Sequence, residues 1–185
     1  MKKSVLIILF ASLLFSNADA TPIQWDVASG GNGHYYELID SGQITWSAAN
    51  GSAEKMTFQG SQGHLATITS NEENLFLSEF SFHGRVWLGG KYENEWSWVT
   101  GEEWDYTRWL PSYIVPYDSQ NYPYLYKYFN PSSPYWANNH ESYDLVGGFI
   151  VEYDASPTPT PEPSTMILFG MGCLGLAKVF RKKVN

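Results

Sequence analysis

The chain has 185 residues, 43% hydrophobic and 16% charged, with 19 acidic and 11 basic side chains, the size of one modest domain with accessory segments. Eight Trp, 13 Tyr and 10 Phe exclude a disordered chain, because that much aromatic surface can close a core. A formal charge of −8 without a Lys/Arg patch excludes nucleic-acid binding, which needs clustered cations against phosphate. Lys2, Lys3, Lys178, Arg181, Lys182 and Lys183 are terminal, so the stretch from Thr21 to Pro161 keeps five basic against 17 acidic residues, a net of −12. Such a surface repels anions and recruits cations.

Residues 1–20 read as a secretory signal peptide: Lys2-Lys3, an apolar run from Val5 to Phe15, and the small-residue ending Ala18-Asp19-Ala20 that signal peptidase accepts. Residues 21–32 are a lead-in, with Gly30-Gly31-Asn32-Gly33 as a flexible stretch. His34 to Ile39 has β composition and ends at Asp40-Ser41-Gly42. Thr45 then caps a helix in which Trp46, Ala49, Ala53 and Met56 recur at helical spacing. After the glycines at 60 and 63, Leu65 to Thr69 reads as a strand. Ser70-Asn71-Glu72-Glu73 is a capping box opening a second helix through Leu75, Phe76 and Phe80.

Val86 to Gly90, Trp96 to Val99 and Phe149 to Tyr153 are further strands, and Trp46, Trp87, Leu88, Trp96 and Trp98 are core residues. Trp109 to Gly147 is a long Pro-, Tyr- and Asn-rich loop, a length that points to function. The composition and order indicate α+β. Ala155 to Thr160 is a Pro/Thr linker that holds an extended form. Residues 161–185 join Pro161-Glu162-Pro163 to a Gly-dotted apolar helix from Met166 and to the basic tail Arg181-Lys182-Lys183.

This Pro-Glu-Pro, short hydrophobic helix and basic tail resembles the PEP-CTERM sorting signal. The resemblance implies a Gram-negative bacterium, a precursor held in the inner membrane by the C-terminal transmembrane helix, and removal of that segment by an exosortase near Pro161 to Pro163. It also implies a mature form on the cell surface or in the extracellular matrix, with exopolysaccharide and biofilm as its setting. Signal peptidase and exosortase are then processing partners. The single cysteine, Cys173, lies in that apolar segment, so the body folds without disulfides.

Residues 33–154 resemble a C-type lectin-like domain. The matching pieces are the Tyr35-Tyr36 strand, Thr45-Trp46 with its helix, Gly63 to Ser70, Asn71 to Asn74, Val86-Trp-Leu-Gly-Gly90, Trp96 to Glu102, Tyr106 to Trp109 and Gly148 to Asp154. The implied fold pairs the terminal strands, flanks small antiparallel sheets with two helices, and presents ligand on the long loop. In sugar-binding relatives a loop calcium, held by carboxylate and amide oxygens, also fixes two sugar hydroxyls. Here Leu110-Pro111-Ser112 stands where Glu-Pro-Asn is usual, and Trp136-Ala137-Asn138 where Trp-Asn-Asp is usual. The calcium site is therefore degenerate, with Asn138 as its remaining metal-ligand candidate.

The candidate ligand-binding residues are Tyr124, Trp136, Asn138, Asn139, Glu141 and Asp144: oxygens for hydroxyls or calcium, and aromatic faces for sugar rings. The reading is an exported non-catalytic module that binds carbohydrate. One alternative is a protein-binding adhesin or matrix component using the Tyr-rich loop. Another is a carbohydrate-active enzyme on Glu102, Glu103 and Asp105, since paired carboxylates perform glycoside hydrolysis. The four histidines, His34, His64, His83 and His140, are scattered, without metal-ligand spacing in the sequence.

Overall fold

The computed structural model describes residues 21–82, 84–111, 116, 118–129, 134–143 and 146–155. The signal peptide, the sorting segment (Pro161, Glu162, Pro163, Arg181, Lys182 and Lys183 included) and Asp144 lie outside them.

The lead-in is more structured than its glycines predict: β1 (Ile23–Gln24) pairs antiparallel with β2 (Tyr35–Asp40). A 3-10 turn at Val27–Ser29 sits between them, capped by Asp26. In α1 (Trp46–Ala53), Thr45 Oγ1 accepts from Ala48 N at 3.2 Å, and Trp46, Ala49 and Ala53 are buried. The helix stops short of Met56 because Lys55 N and Met56 N bond three residues back, to Ser52 and Ala53, tightening the last turn. A hairpin of β3 (Thr57–Phe58) and β4 (Ser61–Leu65) follows.

The strand expected over Leu65 to Thr69 ends at Leu65 instead. Beyond it, Thr67 N and Thr69 N donate to the carboxylates of Glu152 and Glu73, at 2.9 and 2.8 Å, rather than to a neighbouring strand. Side chains have replaced the ladder. Ser70 Oγ caps α2 (Asn71–Ser78), accepting from Glu73 N at 3.1 Å. Glu73 does not reach back to the cap as a capping box requires, because Thr69 and Tyr36 hold its carboxylate.

The remaining strands are β5 (Gly84–Tyr92), β6 (Trp96–Trp98), β7 (Tyr124–Phe129), β8 (Trp136–Asn139) and β9 (Val146–Tyr153). They form one mixed sheet in the order β1-β2-β9-β5-β7-β8, with β6 added to β5 and β4 to β9. β2 and β9, near the two ends of the domain, pair antiparallel from Tyr35 opposite Tyr153 to Asp40 opposite Gly148. β5 and β9 run parallel. The segment expected to be a long loop thus contains a hairpin, β7 with β8, which its Tyr-rich alternation supports and its prolines obscure.

Alternation on β7 divides two cores. Leu125 faces Val86, Leu88, Trp98 and Trp136; Tyr126 faces Trp46, Trp87 and Phe149. Each such fully buried large side chain contributes about 1.5–3 kcal/mol. Gly89 is required where β5 passes the chain after β4: a Cβ there would lie 2.7 Å from Leu65 O and 2.8 Å from Val99 Cγ2. Trp87, Leu88 and Trp98 are buried as expected, whereas Trp96 is only half-buried.

Candidate functional site

The loop-side candidates do not converge. Tyr124 and Asn139 stand directly opposite each other on β7 and β8, and the Tyr124 ring stacks on Trp46 at 4.6 Å and 19°. Asn139 Oδ1 accepts from His140 N, and the backbone carbonyl of Glu141 accepts from Trp46 N at 3.3 Å. Trp136 leaves the opposite face of the hairpin. It has no exposed surface, and its indole N–H donates to Asn74 Oδ1 at 2.9 Å. Trp136 is therefore a core residue rather than one that meets ligand, because the inward face of β8 turns it into the aromatic cluster.

Asn74 organises this region. Its Oδ1 also accepts from Lys127 Nζ at 2.9 Å, and its Nδ2 donates to Pro134 O at 3.0 Å. Lys127 is wholly buried, and desolvation, with Arg108 nearby, pulls its ammonium down to about 7.

Asn138 is 8% exposed, and its Nδ2 donates to Tyr122 O at 2.7 Å. That amide braces the loop. Leu110 and Pro111 offer no side-chain oxygen where relatives place calcium ligands. The described residues of the loop thus do not fit a calcium cage of converging oxygens.

What does converge is a wall of indoles. Trp98 packs on Trp104 at 4.3 Å and meets Trp136 edge-on at 5.8 Å. Trp96 stacks on Trp104 at 5.5 Å and 22°, and leans on Trp109 at 5.1 Å. The wall grades outward: Trp98 and Trp136 are buried, whereas Trp96, Trp104 and Trp109 are partly exposed. Trp96 Nε1 donates to Ser119 Oγ at 3.2 Å, which fixes its ring. Trp96 and Trp104 line an open cleft of about 640 Å³ with Tyr92, Asn94, Glu95, Ser97 and Glu102.

Glu102 accepts from Thr67 Oγ1 and, at 2.8 Å, from Thr100 Oγ1. Glu103 and Asp105 are exposed and do not line this cleft. A sequence scan treats Trp-Ser-Trp as core on both sides. Trp96 and Trp98 leave β6 on the same face, but Trp96 stands at the outer end of that short strand, opposite Tyr92 rather than Gly90, so it need not share the burial of Trp98.

At the far end of the sheet lies a buried polar knot. Tyr36 OH donates to Glu73 Oε1 at 2.5 Å and lies 3.0 Å from Glu152 Oε1. Burial and then Glu152 push the Glu73 carboxyl up to about 7, while its hydrogen bond to Glu152 holds the His34 imidazole above its ordinary range. His34 and His64 both approach Asp154, at 3.8 and 3.3 Å, so two of the four histidines converge on one carboxylate despite their separation in sequence. His140 is elsewhere, bonded to Ser142, and His83 lies outside the described residues.

The comparisons with known proteins agree with this architecture. The C-type lectin domain model matches residues 41–144, and the PEP-CTERM protein-sorting motif matches residues 159–183. The chain belongs to the C-type lectin domain family. It is 39% identical over 92 residues to halomucin of Haloquadratum walsbyi, covering 44% of this chain and 1% of that one. It is 30% identical over 123 residues to a lectin of Pleurodeles waltl, covering 59% of this chain and 69% of that one. A calcium-independent type II antifreeze protein superposes with a TM-score of 0.55 at 25% identity, covering 66% of this chain and 88% of that one. The sorting motif implies bacterial export through an exosortase.

Proposed function

We propose that this protein is an exported, non-catalytic binding module that takes carbohydrate into the cleft of Tyr92, Trp96 and Trp104 without a loop calcium. The half-exposed, mutually stacked indoles carry the reading. Their rings are held by one another and by Ser119, so a sugar ring can stack with little further ordering. Asn94, Glu95 and Glu102 supply amide and carboxylate groups for hydroxyls.

The likeness to a protein named calcium-independent supports binding by this fold without the ion. An exopolysaccharide at the surface of the producing cell is the natural partner of an exosortase substrate. Cleavage near Pro161 to Pro163 would release the domain on its Pro/Thr linker. The precursor would be held in the inner membrane by its apolar segment; among the described residues no helix is long and apolar enough to cross a membrane.

Titrating oligosaccharides from the producer's polysaccharide while following tryptophan fluorescence tests the reading. Saturable quenching is expected, with Trp104→Ala weakening it about five- to tenfold. Unchanged binding by a folded Trp104→Ala variant discards this placement. Silence on every glycan, with capture of a surface protein, moves the function to adhesion.

A further inference from the structure

Sheet register assembles four metal-ligating side chains on one face at the end of β9. Glu152 and Asp154 are two residues apart and so leave the strand on the same side. Tyr36 of β2 and His64 of β4 both stand opposite Glu152. His34, two residues before Tyr36, follows onto that face. The end of β9 is flanked by the His64 imidazole of β4 and the His34 imidazole just before β2.

The distances match this placement. His34 Nδ1, a Glu152 oxygen and an Asp154 oxygen all lie within 4.8 Å of one another. His34 Nδ1 is 2.7 Å from Glu152 Oε1 and 3.8 Å from Asp154 Oδ1, and His64 Nε2 is 3.3 Å from Asp154 Oδ1. Ligands about 2.0–2.2 Å from a tetrahedral zinc ion sit roughly 3.4 Å apart, so the His34–Glu152 pair must open, and His64, which reaches the group through Asp154, must close on the other two.

The orientation of His64 points to a cation more sharply. Its Nδ1 lies 3.0 Å from the carbonyl of Leu65, a contact that only an N–H can satisfy. In the neutral ring Nε2 then carries its lone pair toward the Asp154 carboxylate. Two acceptors would face each other there, a contact that either a proton on Nε2 or a metal ion between them satisfies. A ring nitrogen tied to a backbone carbonyl is also how metal-bound histidines are oriented. Glu152 is likewise held from behind, by Tyr36 OH and Thr67 N.

We propose that His34, His64, Glu152 and Asp154 bind one divalent transition-metal ion of the zinc type. Two imidazoles with two carboxylates suit such an ion and neutralise its charge; calcium, which takes six to eight oxygens, suits the set poorly. The ion would tie β2, β4 and β9 together where the chain leaves the domain for its linker. Glu152 is 2% and Asp154 67% exposed, so an ion enters from the Asp154 side.

Calorimetric titration of zinc chloride into the purified, chelator-treated full chain tests this. The absorption spectrum of a cobalt(II) substitute and the thermal midpoint supply second readouts. One equivalent of zinc is expected, with a raised midpoint, cobalt bands of low coordination number, and no midpoint shift with calcium. His64→Ala and the surface change Asp154→Asn should each weaken zinc about tenfold or more while leaving the metal-free far-ultraviolet dichroism intact. His140→Ala should bind as the parent does. Absence of zinc binding by the parent, or undiminished binding by folded Asp154→Asn and His64→Ala variants, would overturn the proposal.

Discussion

The sheet edge at β5 and β6 and the sheet end at β2, β4 and β9 use opposite materials. At the end, charged groups are buried and each is held by several partners: Glu152 touches His34, Tyr36 and Thr67, and Glu73 touches Tyr36 and Thr69. At the edge, neutral indoles lie only partly covered, beside Asn94, Glu95 and Glu102 on the rim. The first arrangement holds the fold in register. The second is already ordered yet keeps apolar surface in water, which is the cost a binding surface carries.

Substitutions can break that contrast. The largest stability loss is expected where the indole wall becomes core. Trp136→Ala removes a fully buried indole and should cost about 3–5 kcal/mol in urea unfolding; a loss near zero would mean that the wall is not load-sharing. Tyr36→Phe comes next. It deletes the hydroxyl between two buried carboxylates and should cost about 1–3 kcal/mol, with Glu73 and Glu152 left to repel each other.

Lys127→Met is expected to be smaller, near neutral at pH 7, since Asn74 Oδ1 keeps Trp136 as a donor and a buried charge is exchanged for an apolar chain. Its signature is in pH dependence. The folded pKa of about 7 lies below the ordinary 10.5, so the unfolded chain binds more protons between those values. Stability should rise with pH across that window. Unfolding midpoints of the parent should show that rise and those of Lys127→Met should lack its share. Smallest of all in stability is Trp104→Ala, because the ring is only partly covered. Its effect should fall on ligand.

The sequence made the first half of the domain legible because its signals are local. Thr45 and Ser70 cap helices where their hydroxyls are predicted to do so, and Trp87, Leu88 and Trp98 are buried as β composition implies. Where long-range partners decide, local reading fails. The strand expected after Leu65 is lost to the carboxylates of Glu73 and Glu152, which lie far away in sequence or on a helix. The β7-β8 hairpin hides among prolines and tyrosines. The sequence offers Trp136 for its aromatic face, but the side of β8 that it leaves turns that face inward.

Histidine spacing fails similarly, since His34 and His64 are 30 residues apart and meet only through their common neighbour β9. The resemblance to a C-type lectin carries the fold across these gaps. It does not carry the site, because Leu110-Pro111 and Trp136-Ala137-Asn138 depart from the family pattern at the calcium ligands.

The central claim is that the half-buried indoles, and no loop calcium, hold the ligand. Glycan-array capture by the purified protein, with calcium supplied and withheld, alongside a Trp96→Ala/Trp104→Ala variant of equal far-ultraviolet dichroism, tests it most directly. Capture that is indifferent to calcium and lost in the variant is the predicted result. Capture that requires calcium, or that survives removal of both indoles, would contradict it.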